Sequence, residues 1–298
     1  MKVSYADKIK RYTTTKTRIW EIDFLRGFCV ILMIFDHLMY NFCTTFSYFL
    51  SVPVLRQIVQ FAYFYYNSSL RYVGWVIAVG IFMFLSGLST GLTKSNLFRG
   101  IKVLLVAYLL TFATAFLDAV TGSKSFTINF GVLHTLAFCI LTYALCIERG
   151  KTLKILEYKW IKIYLSDILL VILLFASLYV FQSNSIDLMF PFRGNIKYDS
   201  LFSVPFSEYL NFALGIDCQV LLSSDYIPIL PWLIVFLLGA FASRRLYPDR
   251  LSLFPSCNAM LDTPIARIGN KTLLVYVLHQ PIIFFILSLL GLILTGKF

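Results

Sequence analysis

Charge is scarce in this sequence. Lys, Arg, Asp and Glu make up 14% of its 298 residues, against about 25% in ordinary soluble domains. Hydrophobic residues reach 59%, so a water-solvated globule is excluded. Metal-ligand spacing is missing too. The six cysteines, Cys29, Cys43, Cys139, Cys146, Cys218 and Cys257, form no C-x-x-C pair and stand at no ligand spacing from the three histidines. No metal site is therefore expected, and cysteines in apolar runs read as small hydrophobes. No internal repeat, low-complexity tract or linker marks a boundary, so a single membrane-embedded domain is expected over residues 1–298. No small-residue cleavage site follows the polar, basic segment 1–18, and the first apolar run is expected to be retained.

What remains is built for lipid. Mean hydropathy is +0.78. Runs long enough to cross a hydrocarbon core of about 30 Å fall at Trp20–Tyr40, Tyr72–Leu92, Lys102–Ala119, Ile128–Ile147, Tyr164–Gln182, Tyr226–Ala242 and Thr272–Thr295. The expected fold is all-α, a polytopic integral membrane helical bundle of about seven transmembrane helices. Val52–Tyr66 contains Pro53 and Arg56 and reads as an interfacial helix, with Leu201–Leu222 a second short stretch. Positive charge near span ends stays in the cytosol. With a cytosolic amino terminus, nineteen of the twenty-six Lys and Arg residues lie on that side. The net charge of +11 thus expresses topology, and its spread over four loops argues against nucleic-acid binding. The longest external connection, 183–225, carries five acidic residues. The run Phe61–Tyr66 (FAYFYY) reads as an interfacial aromatic belt or as a surface for stacking on sugar rings.

Ionisable groups inside spans are costly and mark chemistry or helix pairing. The first span holds Asp23, Arg26, Asp36 and His37. At 3.6 residues per turn, Asp23, Arg26, Val30, Met33 and His37 share one face, and Arg26 and His37 differ in depth by roughly 16 Å. Asp23 can pair with Arg26. A histidine takes protons near neutral pH and an arginine holds phosphate or polarises a carbonyl, a division of labour suited to group transfer. The bland alternative is an interfacial His37 beside a helix-packing ion pair. A transporter relay and a non-catalytic scaffold also fit these residues. His134 and His279 lie in two further spans, where interhelical hydrogen bonding and cavity lining are both open. Pro281 follows His279 by two positions and favours a bend or opening there.

Five segments then share one resemblance: Arg18–His37 (RIWEIDFLRG, then His37), Ile81–Gly87 (IFMFLSG) with the basic stretch at Phe98–Lys102, Phe130–His134 (FGVLH), Asp225–Gly239 (DYIPILPWL, then FLLG) and Ile268–Pro281 (IGNKTLLVYVLHQP). In order and spacing the sequence resembles the heparan-alpha-glucosaminide N-acetyltransferase catalytic family, in its short prokaryotic form, within the wider transmembrane acyltransferases. The resemblance implies an enzyme that takes acetyl-coenzyme A from the cytosol and acetylates a hydroxyl or amine of an external sugar or glycan. It further implies His37, Arg26, Asp23, His134 and His279 as catalytic candidates, and Arg26, Arg99 and Lys102 as donor-binding residues. Asp36, Asn41 and Trp232 are the acceptor-side candidates. Multi-pass residence in a prokaryotic plasma membrane, lipid contact and a homodimer complete the expectations. One departure stands out: in the animal enzymes the position matching His37 looks like an asparagine with the functional histidine some residues later, whereas here LMYNFCTTF supplies Asn41 and no second histidine. Heparan sulfate is not carried over as the acceptor.

Overall fold

The computed structural model describes residues 18–122, 126–148, 154–158, 161–183, 197–198, 201–221, 223–257 and 263–296. The basic segment expected at 1–18, apart from Arg18, and much of the expected external loop lie outside the described residues. The helices are α1 (Trp20–Cys43), α2 (Arg56–Tyr66), α3 (Ser69–Leu88), α4 (Asn96–Thr121), α5 (Val132–Cys146), α6 (Leu165–Ser183), α7 (Phe206–Leu214), α8 (Trp232–Leu246), α9 (Pro264–Asn270) and α10 (Thr272–Thr295). A hairpin of β1 (Lys154–Tyr158) and β2 (Ile161–Tyr164) interrupts this all-helical order between α5 and α6.

A helix occupies each of the seven expected runs. Four, α3, α4, most of α6 and α10, are long and apolar enough to cross a membrane on length and composition, and α5 is a shorter apolar helix. Their outer faces need lipid: Leu105, Leu109, Phe112 and Phe116 on α4, and Ile282, Phe285, Leu289 and Ile293 on α10, are exposed. Apolar patches of this extent are not left to water. The chain is a polytopic helical membrane protein.

Helix ends follow local chemistry rather than hydropathy. α4 begins six residues before the expected Lys102 because the Ser95 side chain accepts from Phe98 N and caps the first turn. α5 begins only at Val132, since the Asp118 carboxylate accepts from Phe126 N at 3.0 Å and Thr127 N at 2.8 Å and holds that stretch in a turn. α8 starts at Trp232 because Pro228 and Pro231 keep the preceding residues out of the helix. α10 runs through Pro281 as one helix. The expected interfacial element is realised as α2, and Leu201–Leu222 contributes α7.

The described chain divides into two compact units, Met1–Leu85 with Tyr247–Phe298, and Ser86–Leu246. In the first, α1 packs against α9 at two glycines. A Cβ on Gly27 would fall 1.9 Å from Ile265 O, and one on Gly269 would fall 1.7 Å from Asp23 O, so only hydrogen at both positions permits this approach. An apolar cluster of Met39, Phe42, Phe46, Phe49, Val59, Ala62, Ile283 and Leu287 closes α1, α2 and α10 together near the other end of α1. In the second unit, Arg244 on α8 pairs with Asp167 on α6 and bonds Ser166 at 2.8 Å and Tyr143 at 3.3 Å. Gly87 lets α3 approach Phe236 O on α8, where a Cβ would sit 1.9 Å away.

Candidate functional site

The polar face predicted for α1 is realised. Asp23 and Val30 are buried, with Arg26, Met33 and His37 partly so, while Leu25, Phe28, Leu32 and Phe35 on the opposite face are exposed. Arg26 Nη1 lies 3.5 Å from Asp23 Oδ1, and Arg18 Nε lies 4.0 Å from Asp23 Oδ2. The α1–α9 glycine crossing therefore seats the Asp23 backbone directly beside Gly269. Just before it, Glu21 is buried and accepts from Leu253 N at 2.8 Å, Ser252 Oγ at 2.9 Å and Tyr247 Oη at 3.3 Å. Burial, with the Glu21 carboxylate beside it, pushes the Tyr247 phenol up, so it stays protonated as a donor.

Three turns further along α1, two histidines meet. His37 and His279 have ring centroids 4.8 Å apart at an interplanar angle of 72°. His37 Nδ1 donates to Met33 O at 2.9 Å, and His279 Nδ1 donates to Tyr276 O. A carbonyl only accepts, so each ring carries a proton on Nδ1, and in its neutral form the lone pair is at Nε2. Among the described residues neither Nε2 has a partner, and that of His279 is buried. An unpaired buried acceptor costs about 1–3 kcal/mol.

Asn41, one turn after His37, donates through Nδ2 to His37 O and to Gln280 Oε1, both at 3.0 Å. Asp36 takes both ends of the Arg71 guanidinium, Oδ1 from Nε at 2.7 Å and Oδ2 from Nη2 at 2.8 Å, and also accepts from Tyr65 Oη at 3.2 Å. Arg71 in turn lies 4.2 Å from the Tyr66 ring centroid. The FAYFYY run is thus divided: Tyr65 and Tyr66 face this network, while Phe61, Tyr63 and Phe64 are exposed.

The other candidates belong to the second unit. His134 is nearly fully buried with both nitrogens engaged. Nδ1 accepts from Gly131 N at 3.2 Å, and Nε2 faces Thr111 Oγ1 at 3.2 Å, whose own proton goes to Ile128 O at 2.7 Å. This is the opposite tautomer from His37 and His279, with no nitrogen left for a substrate. Arg99, in the first turn of α4, donates to Ser86 Oγ at 2.6 Å and to Ser86 O at 3.3 Å. Lys102, one turn on, is exposed. Trp232 is buried at the start of α8. Among the described residues no group of three or more His, Cys, Asp or Glu side chains is arranged to hold a metal ion.

Arg71, Glu21 and Gln280 were not singled out from sequence. Glu21 and Gln280 stand inside the motifs quoted above, which is a signal, but their partners lie more than two hundred residues away in the chain. Arg71 carries a weaker cue, a cation at the mouth of a span.

The family described as heparan-alpha-glucosaminide N-acetyltransferase, catalytic, matches residues 18–281, a stretch that holds both α1 clusters and ends one residue after Gln280. No curated protein and no solved structure matches the chain. With nearly its whole length covered, the chain belongs to the heparan-alpha-glucosaminide N-acetyltransferase catalytic family.

Proposed function

We propose that this membrane acetyltransferase takes the acetyl group of cytosolic acetyl-coenzyme A and delivers it to a hydroxyl or amine of a sugar or glycan on the far side of a prokaryotic plasma membrane. The observation that carries the reading is the pair of open Nε2 lone pairs at His37 and His279, on α1 and α10, with each Nδ1–H tied to a backbone carbonyl. In the neutral ring that bond leaves Nε2 as the acceptor a general base needs, in an orientation set by the helix itself.

Each residue is assigned a role in this reading. His37 Nε2 accepts the acceptor's proton as its oxygen or nitrogen attacks the thioester carbonyl, and returns it to the departing sulfur. His279 packs against that ring and holds its orientation. Arg26, braced by Asp23, sits roughly 16 Å along the helix axis from His37, a depth difference suited to an extended pantetheine arm. The first turns of α4, with Arg99 and Lys102 and the helix amino terminus, have the charge to meet the nucleotide phosphates. Asn41 and Trp232 are assigned to the acceptor side. Asp36 has both oxygens on Arg71 and supports the neighbouring His37 turn. The distribution of basic residues supports a cytosolic amino terminus.

The test uses purified protein in sealed vesicles, labelled acetyl-coenzyme A on one side and a panel of sugars and amino sugars on the other. Label should appear on an acceptor, and His37→Ala should lower the rate by about 10²–10⁴. Proton-coupled sugar uptake without thioester consumption would replace the reading with transport.

A further inference from the structure

Asn41 has only one group able to face the His37 carbonyl, its amide nitrogen, because a carbonyl oxygen cannot donate. That fixes the flip of Asn41, and its second N–H then meets Gln280 Oε1. The flip of Gln280 follows. Its oxygen is turned toward Asn41, and its NH₂ group, with two N–H donors, is turned away and has no partner among the described residues. Here Asn41 spends both donors, one of them on the His37 turn, and Gln280 keeps both of its own. Gln280 is partly exposed and directly follows His279, and the pairing of Asn41 with the His37 carbonyl ties its amide to the helix of the candidate base.

We propose that Gln280 is a catalytic residue of this site, its side-chain amide donating to the thioester carbonyl oxygen as negative charge develops there, with Asn41 the positioning residue that aims it. The assignment rests on the acyl-transfer reading and adds to it the electrophilic half of the reaction. In the step, the acceptor's proton passes to His37 Nε2, the new bond forms between the acceptor heteroatom and the carbonyl carbon, and the C=O electron pair moves to oxygen against the Gln280 N–H. The pair returns, the C–S bond breaks, and the sulfur leaves with the proton from the His37 imidazolium. A neutral amide suits a site inside a membrane: it stabilises developing charge without placing a second ion there.

The experiment compares wild type, Gln280→Glu and Gln280→Leu, full chain in detergent, by melting midpoint, by calorimetric affinity for acetyl-coenzyme A, and by kcat and KM. Gln280→Glu keeps an oxygen for Asn41 to bond and removes the donors. It should fold and retain donor affinity, with a midpoint lowered only by the added carboxylate, while kcat falls by about 10²–10³, the loss typical of one oxyanion donor. Gln280→Leu should lose kcat equally and also lower the midpoint, because the bond to Asn41 is gone. A Gln280→Glu protein with wild-type kcat, or one whose loss of rate is matched by lost folding or lost donor affinity, overturns the assignment alone. A folded wild type that transfers no acyl group overturns the acyl-transfer reading and this assignment with it.

Discussion

Replacing Gly269 by alanine tests the crossing on which the Asp23–Arg26 cluster is built. The added Cβ would lie 1.7 Å from Asp23 O, 2.7 Å from its carbon and 2.7 Å from Gly27 N. All three are backbone atoms, so no rotamer change relieves the overlap. Restoring even a 3.0 Å separation from the carbonyl oxygen requires α1 and α9 to part by about 1.3 Å, and a gap of this order forfeits a quarter to a half of each dispersion contact across the interface. The expected cost is about 3 kcal/mol, the upper end for overpacking. At 2–4 °C per kcal/mol this lowers the melting midpoint by roughly 6–12 °C. Activity should fall further than stability, because a misplacement of about 1 Å costs on the order of 10²-fold when it moves a positioned group, and Asp23 with its bound Arg26 moves with the crossing. The assay is thermal unfolding of purified protein in detergent, followed by kcat/KM on the folded fraction. Gly74→Ala supplies the control: nothing lies within 4 Å of a Cβ there, and helix propensity favours alanine by about 1 kcal/mol, so its midpoint should hold or rise. A Gly269→Ala protein melting with the wild type would refute the reasoning.

Asp36→Asn should cost about 2 kcal/mol, short of the 3–5 for breaking a fully buried pair, by leaving Arg71 without its carboxylate. The Asp36→Leu, Arg71→Leu double variant should recover most of that loss in a thermal double-mutant cycle, because neither charge is then stranded. His134→Phe should cost about 2 kcal/mol of stability, near 1 for each lost hydrogen bond, while kcat/KM per folded molecule stays at the wild-type level. Glu21→Gln offers one acceptor oxygen where three donors converge. It should accelerate amide hydrogen exchange at residues 251–254, read by mass spectrometry.

The membrane fold and the polar face of α1 were legible because both are written in local periodicity: Asp23, Arg26 and His37 recur at helical spacing within one apolar run. Helix ends were less legible. The Ser95 cap and the Asp118-bound turn are decided by single side chains that hydropathy averages away. What could not be read was tertiary pairing. Arg71 stood as one more external cation until folding brought it to Asp36, thirty-five residues earlier in the chain. His134 and His279 looked equivalent as lone intramembrane histidines. Their roles separate only through tautomer, which depends on whether the neighbour of Nδ1 is the Gly131 amide or the Tyr276 carbonyl.

The measurement that bears most directly on the account is the pH dependence of kcat/KM for acetyl transfer in wild type and in His37→Ala. An acid limb in which one proton silences the wild type, absent from a variant slowed by about 10²–10⁴, is the result predicted for an imidazole acting as the base. A His37→Ala enzyme that keeps both the wild-type rate and the acid limb would contradict it.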